Sequence, residues 1–129
     1  MRFLREVLII IIILIIVFWT ERITSNELND SVKWVRDRII SVENKVNEDK
    51  KEEAEKEFDE FQEQWKEKNE KLALFVEHNE LEKISNDIVI IKSNLKSDDI
   101  DEVMEDIAEL KFMLEHIEEK NQLKLKNIF

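Results

Sequence analysis

From Leu28 onward apolar residues recur at steps of three and four, whereas before Thr20 they run almost without interruption. Leu28, Val32, Val35, Ile39, Val42 and Val46 form a first stripe. Ala54, Phe58, Phe61 and Trp65 form a second, which resumes at Leu72, Phe75 and Val76. Leu81, Ile84, Ile88, Ile91 and Leu95 form a third, and Ile100, Val103, Ile107, Leu110, Leu114 and Ile117 a fourth. A one-sided stripe at this spacing belongs to an amphipathic helix that buries one face. The pattern predicts an all-α fold with helices packed face to face.

Polar residues mark the breaks. Asp49 followed by Glu52 has the spacing of an amino-terminal cap with its reciprocal acid. Ser97, Asp98 and Asp99 mark a second start, and Asn79 with Glu82 a third. Connections this short imply antiparallel neighbours, hence an up-down-up-down helical bundle or two stacked hairpins. The stripes also repeat at an offset of 49. Val32 to Val46 map onto Leu81 to Leu95, Asp49 onto Asp98, and Ala54 to Trp65 onto Val103 to Leu114. Two related helix–turn–helix units are expected, one over about 26–78 and one over about 79–118. A long coiled coil formed with other chains is the competing architecture, and the capped breaks weigh against it.

The leading run is Val7, Leu8, Ile9, Ile10, Ile11, Ile12, Ile13, Leu14, Ile15, Ile16, Val17, Phe18 and Trp19. It covers every helical face, whereas a water-soluble helix keeps a polar stripe. The strict run spans only about 20 Å of helix, the length of a secretory signal core. Counted from Phe3 to Ile23 it reaches about 31 Å, enough for a bilayer core of about 30 Å. Arg5 and Glu6 would neutralise each other or snorkel. No small-x-small cleavage site follows, so a retained transmembrane helix is expected over residues 1–24, with Trp19 at the interface. Arg2 and Arg5 precede the run, while Arg22 and Lys33 follow it. This bias favours a cytoplasmic amino terminus, a single pass through the cell membrane and an outside location for the rest.

Composition changes the picture in two ways. Residues 1–22 hold three basic and two acidic residues, a net +1, so with a total of −11 residues 23–129 carry −12. Such a domain repels nucleic acid and anionic headgroups. Gly, Pro and Cys are all absent. Phosphate-cradling loops, dinucleotide turns, nucleophile elbows and EF-hands need Gly, and without Cys there is neither disulfide nor thiolate zinc site. No cofactor and no enzymatic activity is expected.

The two His residues, His78 and His116, each follow a Glu, in Glu77-His78 and Glu115-His116, and each has an acid one turn on, Glu82 and Glu119. If the first helix leaves the membrane, the turns at Asn47–Asp49 and Ser97–Asp99 are distal. Both Glu-His pairs then sit at the membrane-near end. Imidazole with carboxylates suits a divalent transition metal. In a chain with 31 acids a His beside carboxylates is also expected without any metal. Phe58, Phe61 and Trp65 read as core, and Lys68 either snorkels or marks where the second helix leaves the core. The tail, residues 119–129, turns basic with Lys120, Lys124 and Lys126. It either lies on the bilayer with Phe129 inserted or packs back over the open end of the bundle.

The anchor, the Trp65 and Leu72 pair, FVEHNELEKI at Phe75–Ile84 and AELKFMLEHIEEKNQLKLKNIF at Ala108–Phe129 resemble a family of short single-pass bacterial proteins. That family is a domain of unknown function, common in endospore-forming, Gram-positive-type bacteria. The resemblance implies a membrane-anchored small helical protein and brings no functional residue with it.

The domain organisation expected is an anchor at 1–24, a four-helix domain at 25–118 and a tail at 119–129. The function expected is a non-enzymatic module that binds or scaffolds another membrane or envelope protein. A homo-oligomer is compatible with it. The alternatives are a ligand-sensing extracytoplasmic bundle, a metal protein using Glu77, His78, Glu115 and His116, and an extended oligomer of the phage-lysis or cell-division type.

Overall fold

The computed structural model describes residues 1–128, without the side chains of Thr24, Ser25, Leu125, Asn127 and Ile128. Four helices make up most of it: α1 (Arg2–Asn47), α2 (Lys51–Leu72), α3 (His78–Lys96) and α4 (Ile100–Ile128). No strand occurs among the described residues. The four stripes become one core. Every apolar residue of the first, third and fourth is buried except Ile100, which is half-buried. In the second, Ala54, Phe58, Phe61, Trp65 and Leu72 are buried.

That second stripe stops earlier than its spacing predicts. α2 ends at Leu72, whose carbonyl accepts from both the Phe75 and Val76 N–H groups at 2.9 Å. Phe75 and Val76 therefore lie in the reversal before α3, where they pack against the end of the core.

α1 packs on α2 and α4, and α3 packs on α2 and α4. No Cα pair across either diagonal comes within 8 Å among the described residues. Cross-helix polar pairs fix the antiparallel register. Between α1 and α4 they run Glu43–Lys111 at 2.7 Å, Arg36–Glu118 at 2.6 Å and Asn29–Asn121 at 3.4 Å. Between α2 and α3, Asp59 meets Lys92 at 3.2 Å, and the Trp65 indole N–H donates to Ser85 Oγ at 3.1 Å. Within the hairpins, Lys45 meets Glu57, and Asn94 Nδ2 donates to Asp106 Oδ2 at 2.7 Å.

The distal turns show how a chain without Gly reverses direction. α1 and α3 each end with an Asp in the left-handed region, Asp49 at φ 58° and Asp98 at φ 61°. The hydrogen bonds are the same in both. Asp49 N–H donates to Val46 O and Lys50 N–H to Lys45 O; Asp98 N–H donates to Leu95 O and Asp99 N–H to Asn94 O. This is the paired closure of a helix end that usually recruits Gly; Asp is among the few residues that tolerate the conformation. Asp49 is therefore not the cap its spacing with Glu52 suggests. It is used up as the left-handed residue, and Lys50 stands at the start of α2 without a side-chain cap bond. Asn79 is not a cap either, because α3 begins at His78 after Glu77. Asp99 does cap, accepting from the Glu102 N–H at 3.5 Å.

These turns carry a first prediction. Asp49→Gly and Asp98→Gly each remove a left-handed penalty of about 1 kcal/mol or less, and each should raise the thermal midpoint by a few degrees. Asp→Ala at either position should lower it. Circular dichroism melts of the full chain in detergent check both signs.

α1 is one unbroken helix of 46 residues, about 69 Å long. Its described residues up to Glu27 are all exposed, and from Leu28 its stripe enters the core. The anchor boundary at 24 and the tail boundary at 118 thus mark changes of composition inside continuous helices. Glu6 pairs with Arg2 at 3.7 Å rather than with Arg5, since adjacent helical residues do not face each other whereas i and i+4 do. Near the far end of the run, the Thr20 hydroxyl donates to the Ile16 carbonyl at 2.8 Å, which satisfies a polar group within its own helix.

Candidate functional site

The end of the bundle nearest the apolar run gathers the residues singled out by the Glu-His spacing, but does not join them. His78, almost fully exposed, faces Glu82 on its own helix at 3.8 Å. His116 reaches across to Glu80 of α3 at 3.8 Å rather than to Glu119. Glu77 is held by Lys120 at 3.0 Å, and Lys120 also reaches Glu80 at 3.5 Å. The hydrogen bond from Lys120 holds the Glu77 carboxyl below its ordinary range, and the same bond raises Lys120. Glu115 is exposed on the outer face of α4. Among the described residues, no three His, Cys, Asp or Glu side chains converge as ligands around a metal position. Glu77, the reversal before α3 and the start of the tail are thereby tied together.

The tail does not fold back over the bundle. α4 simply continues to Ile128, with Asn121 beside Asn29 of α1. Leu123 points outward. The expected insertion of Phe129 lies outside the described residues.

Electrostatics along the bundle follow one rule with one exception. Each half-buried carboxylate meets a donor: Glu43 has Lys111, Glu55 has Lys51, Glu57 has Lys45, Glu80 has Lys120, Glu118 has Arg36 and Asp106 has the Asn94 amide. Burial alone would push Glu57 up, but hydrogen bonds from Lys45 and Ser41 outweigh it and hold the carboxyl below its ordinary value. The hydrogen bond to Glu118 raises Arg36.

Asp87 is the exception. It is 8% exposed, and its Oδ2 is buried without a hydrogen-bond partner. Burial, then the nearby charges of Glu109 and Asp106, push its carboxyl up to about 6. It lines a half-open groove of about 540 Å³ between α3 and α4, with Glu80, Lys83 and Asn86 on one side and Glu109, Phe112, Met113, His116 and Ile117 on the other. Phe112 is 71% exposed, so the groove has an apolar wall open to solvent.

Sequence reasoning passed over two residues that the structure makes prominent. Asp87 carries no signal of its own, being one acid among 31 beside a core stripe. Trp34 lies off its stripe, yet it stacks on Phe61 with ring centroids 5.6 Å apart. Arg38 at 5.9 Å and Lys68 at 5.4 Å from its centroid also lie over the ring. Lys68 therefore interrupts the second stripe as a cation–π partner.

Residues 22–128 match the family described as a domain of unknown function, DUF4363. The match covers the bundle and the tail helix and begins just past the apolar run. No curated protein and no solved structure matches the chain.

Proposed function

The chain belongs to the DUF4363 family, whose description assigns no activity, and from the geometry we propose a non-enzymatic, single-pass membrane module that docks another membrane or envelope protein. One observation carries this reading. The same helix supplies a wholly exposed apolar half and a core-forming half with no break between them. By length and composition the first half suits a bilayer span. In water its exposed Ile and Leu side chains would form an aggregation surface far larger than a soluble monomer tolerates. In a bilayer each stabilises the span by a few tenths of a kcal/mol, several kcal/mol in all.

Because α1 is continuous, the span and the bundle form one lever, and the bundle stands at a set height and rotation above the lipid. The amino terminus lies in the cytoplasm and the acidic bundle outside, following the basic residues before the run. The two hairpins are copies of one unit. Their turns carry Asp at matched places, and the Lys45–Glu57 and Asn94–Asp106 pairs occupy equivalent positions at the offset of 49.

In-cell crosslinking through a photoreactive residue at exposed positions of α3 and α4 tests the docking reading. A discrete heterologous adduct, lost when Δ1–22 releases the chain from the membrane, supports it. Monomer alone at every position overturns it.

A further inference from the structure

We propose that the α3–α4 groove is a binding site for a small organic cation, an amine or guanidinium carried on an apolar body, with its charge on Asp87 and its body along Phe112 and Met113. The inference goes beyond the docking reading and does not depend on it. Its first support is the orphan carboxylate oxygen. Asp87 lines the groove and is more than nine-tenths buried, and among the described residues no donor reaches its Oδ2. A buried polar group without a partner is costly, and native folds rarely keep one that nothing uses. The second support is contrast. The half-buried carboxylates, Glu80 of the same groove included, are given a Lys, an Arg or an amide by the fold itself, so the missing partner is particular to Asp87.

The third support is the shape and charge of the surroundings. A groove of about 540 Å³ falls within the size range of small-molecule sites. Here Phe112, Met113 and Ile117 supply the apolar wall. Glu109 adds negative charge, Glu80 is already held by Lys120, and Lys83 stands on the rim. An anion would meet the unpaired carboxylates of Asp87 and Glu109, whereas a cation would complete Asp87. Monoamines with an aromatic or aliphatic body match this pattern.

The test uses the isotope-labelled full chain in detergent micelles, titrated with phenethylamine and, in parallel, with 2-phenylethanol. The alcohol has the same body without the charge, so it reports partition into micelle and apolar surface. Saturable amide shifts at Lys83, Asn86, Asp87 and Met113 with the amine and not with the alcohol are expected. Asp87→Asn should weaken the amine at least tenfold, and Phe112→Ala should weaken it severalfold while leaving Asp87 in place. The proposal is overturned if amine and alcohol give the same shifts, or if Asp87→Asn binds the amine as well as the parent does. Asp87→Asn removes an unpaired charge and is expected to fold, and Phe112→Ala changes an exposed side chain, so both variants can be read.

Discussion

Phe61→Ala is expected to destabilise the bundle by about 3–5 kcal/mol. Phe61 is 1% exposed and holds two aromatic contacts, with Trp34 and with Phe58, each at 5.6 Å between ring centroids. Truncation therefore opens a cavity and strips the packing face from Trp34, whose cation contacts with Lys68 and Arg38 then lose their support. In a domain of roughly a hundred residues each kcal/mol moves the midpoint by about 4–8 °C, so a fall of about 15 °C or more is expected. Phe112→Ala is the control. The same substitution on a side chain open to solvent should stay within about 0.5 kcal/mol. Thermal melts followed at 222 nm in detergent compare the two. Equal losses would mean that the core is not where the stripes place it.

That contrast shows how much of the fold was legible in the residues. Phe61 lies on a stripe with Phe58 and Trp65, and spacing alone marked it as core; Phe112 lies off every stripe. Helix number, antiparallel order and core membership follow from such spacing because burial of an apolar face dominates the energetics. The turns were half legible. Asp49 and Asp98 marked the breaks, but a backbone with positive φ leaves no trace in composition when Gly is missing, and Asp49 reads as a cap until its conformation is seen. The groove was not legible at all. Asp87 sits three residues after Ile84 and one before Ile88, at the edge of the buried face. Only the approach of α4 decides whether such a carboxylate meets water, a cation or neither. The partners of the Glu-His residues were not legible for a related reason. Spacing brought them to one end of the bundle, but side-chain direction sent Glu77 to Lys120 and His116 to Glu80.

Asp87→Asn is expected to stabilise the protein at pH 7.5 by about 1–3 kcal/mol and to do little near pH 4. The unfolded chain titrates this carboxyl near its ordinary value, about 3.9, whereas the fold raises it to about 6. Between those values the folded state binds more proton than the unfolded one, so Asp87 favours folding at low pH. That stability is fully present below the unfolded value and is lost as pH rises through about 6. Above it the parent holds a buried, unpaired charge flanked by Glu109 and Asp106, and the amide does not. Glu57 and Glu77 are held below their ordinary range and act in the opposite sense, losing stability as pH falls. The difference between variant and parent cancels their contribution. Denaturant midpoints of both proteins from pH 4 to pH 8 should therefore diverge upward with pH. A constant difference would show that Asp87 titrates normally, and with it that the groove is wetter than its burial indicates. A charge that the fold holds at a loss is also what a site reserving a carboxylate for a cationic ligand requires.

The lever itself is tested by alkaline carbonate extraction of native membranes, with the intact mass of the chain read in each fraction. The account predicts the full-length chain in the pellet, its Val7–Trp19 segment included, released only by detergent. A chain recovered in the wash, shorn of the apolar half of α1, would contradict it.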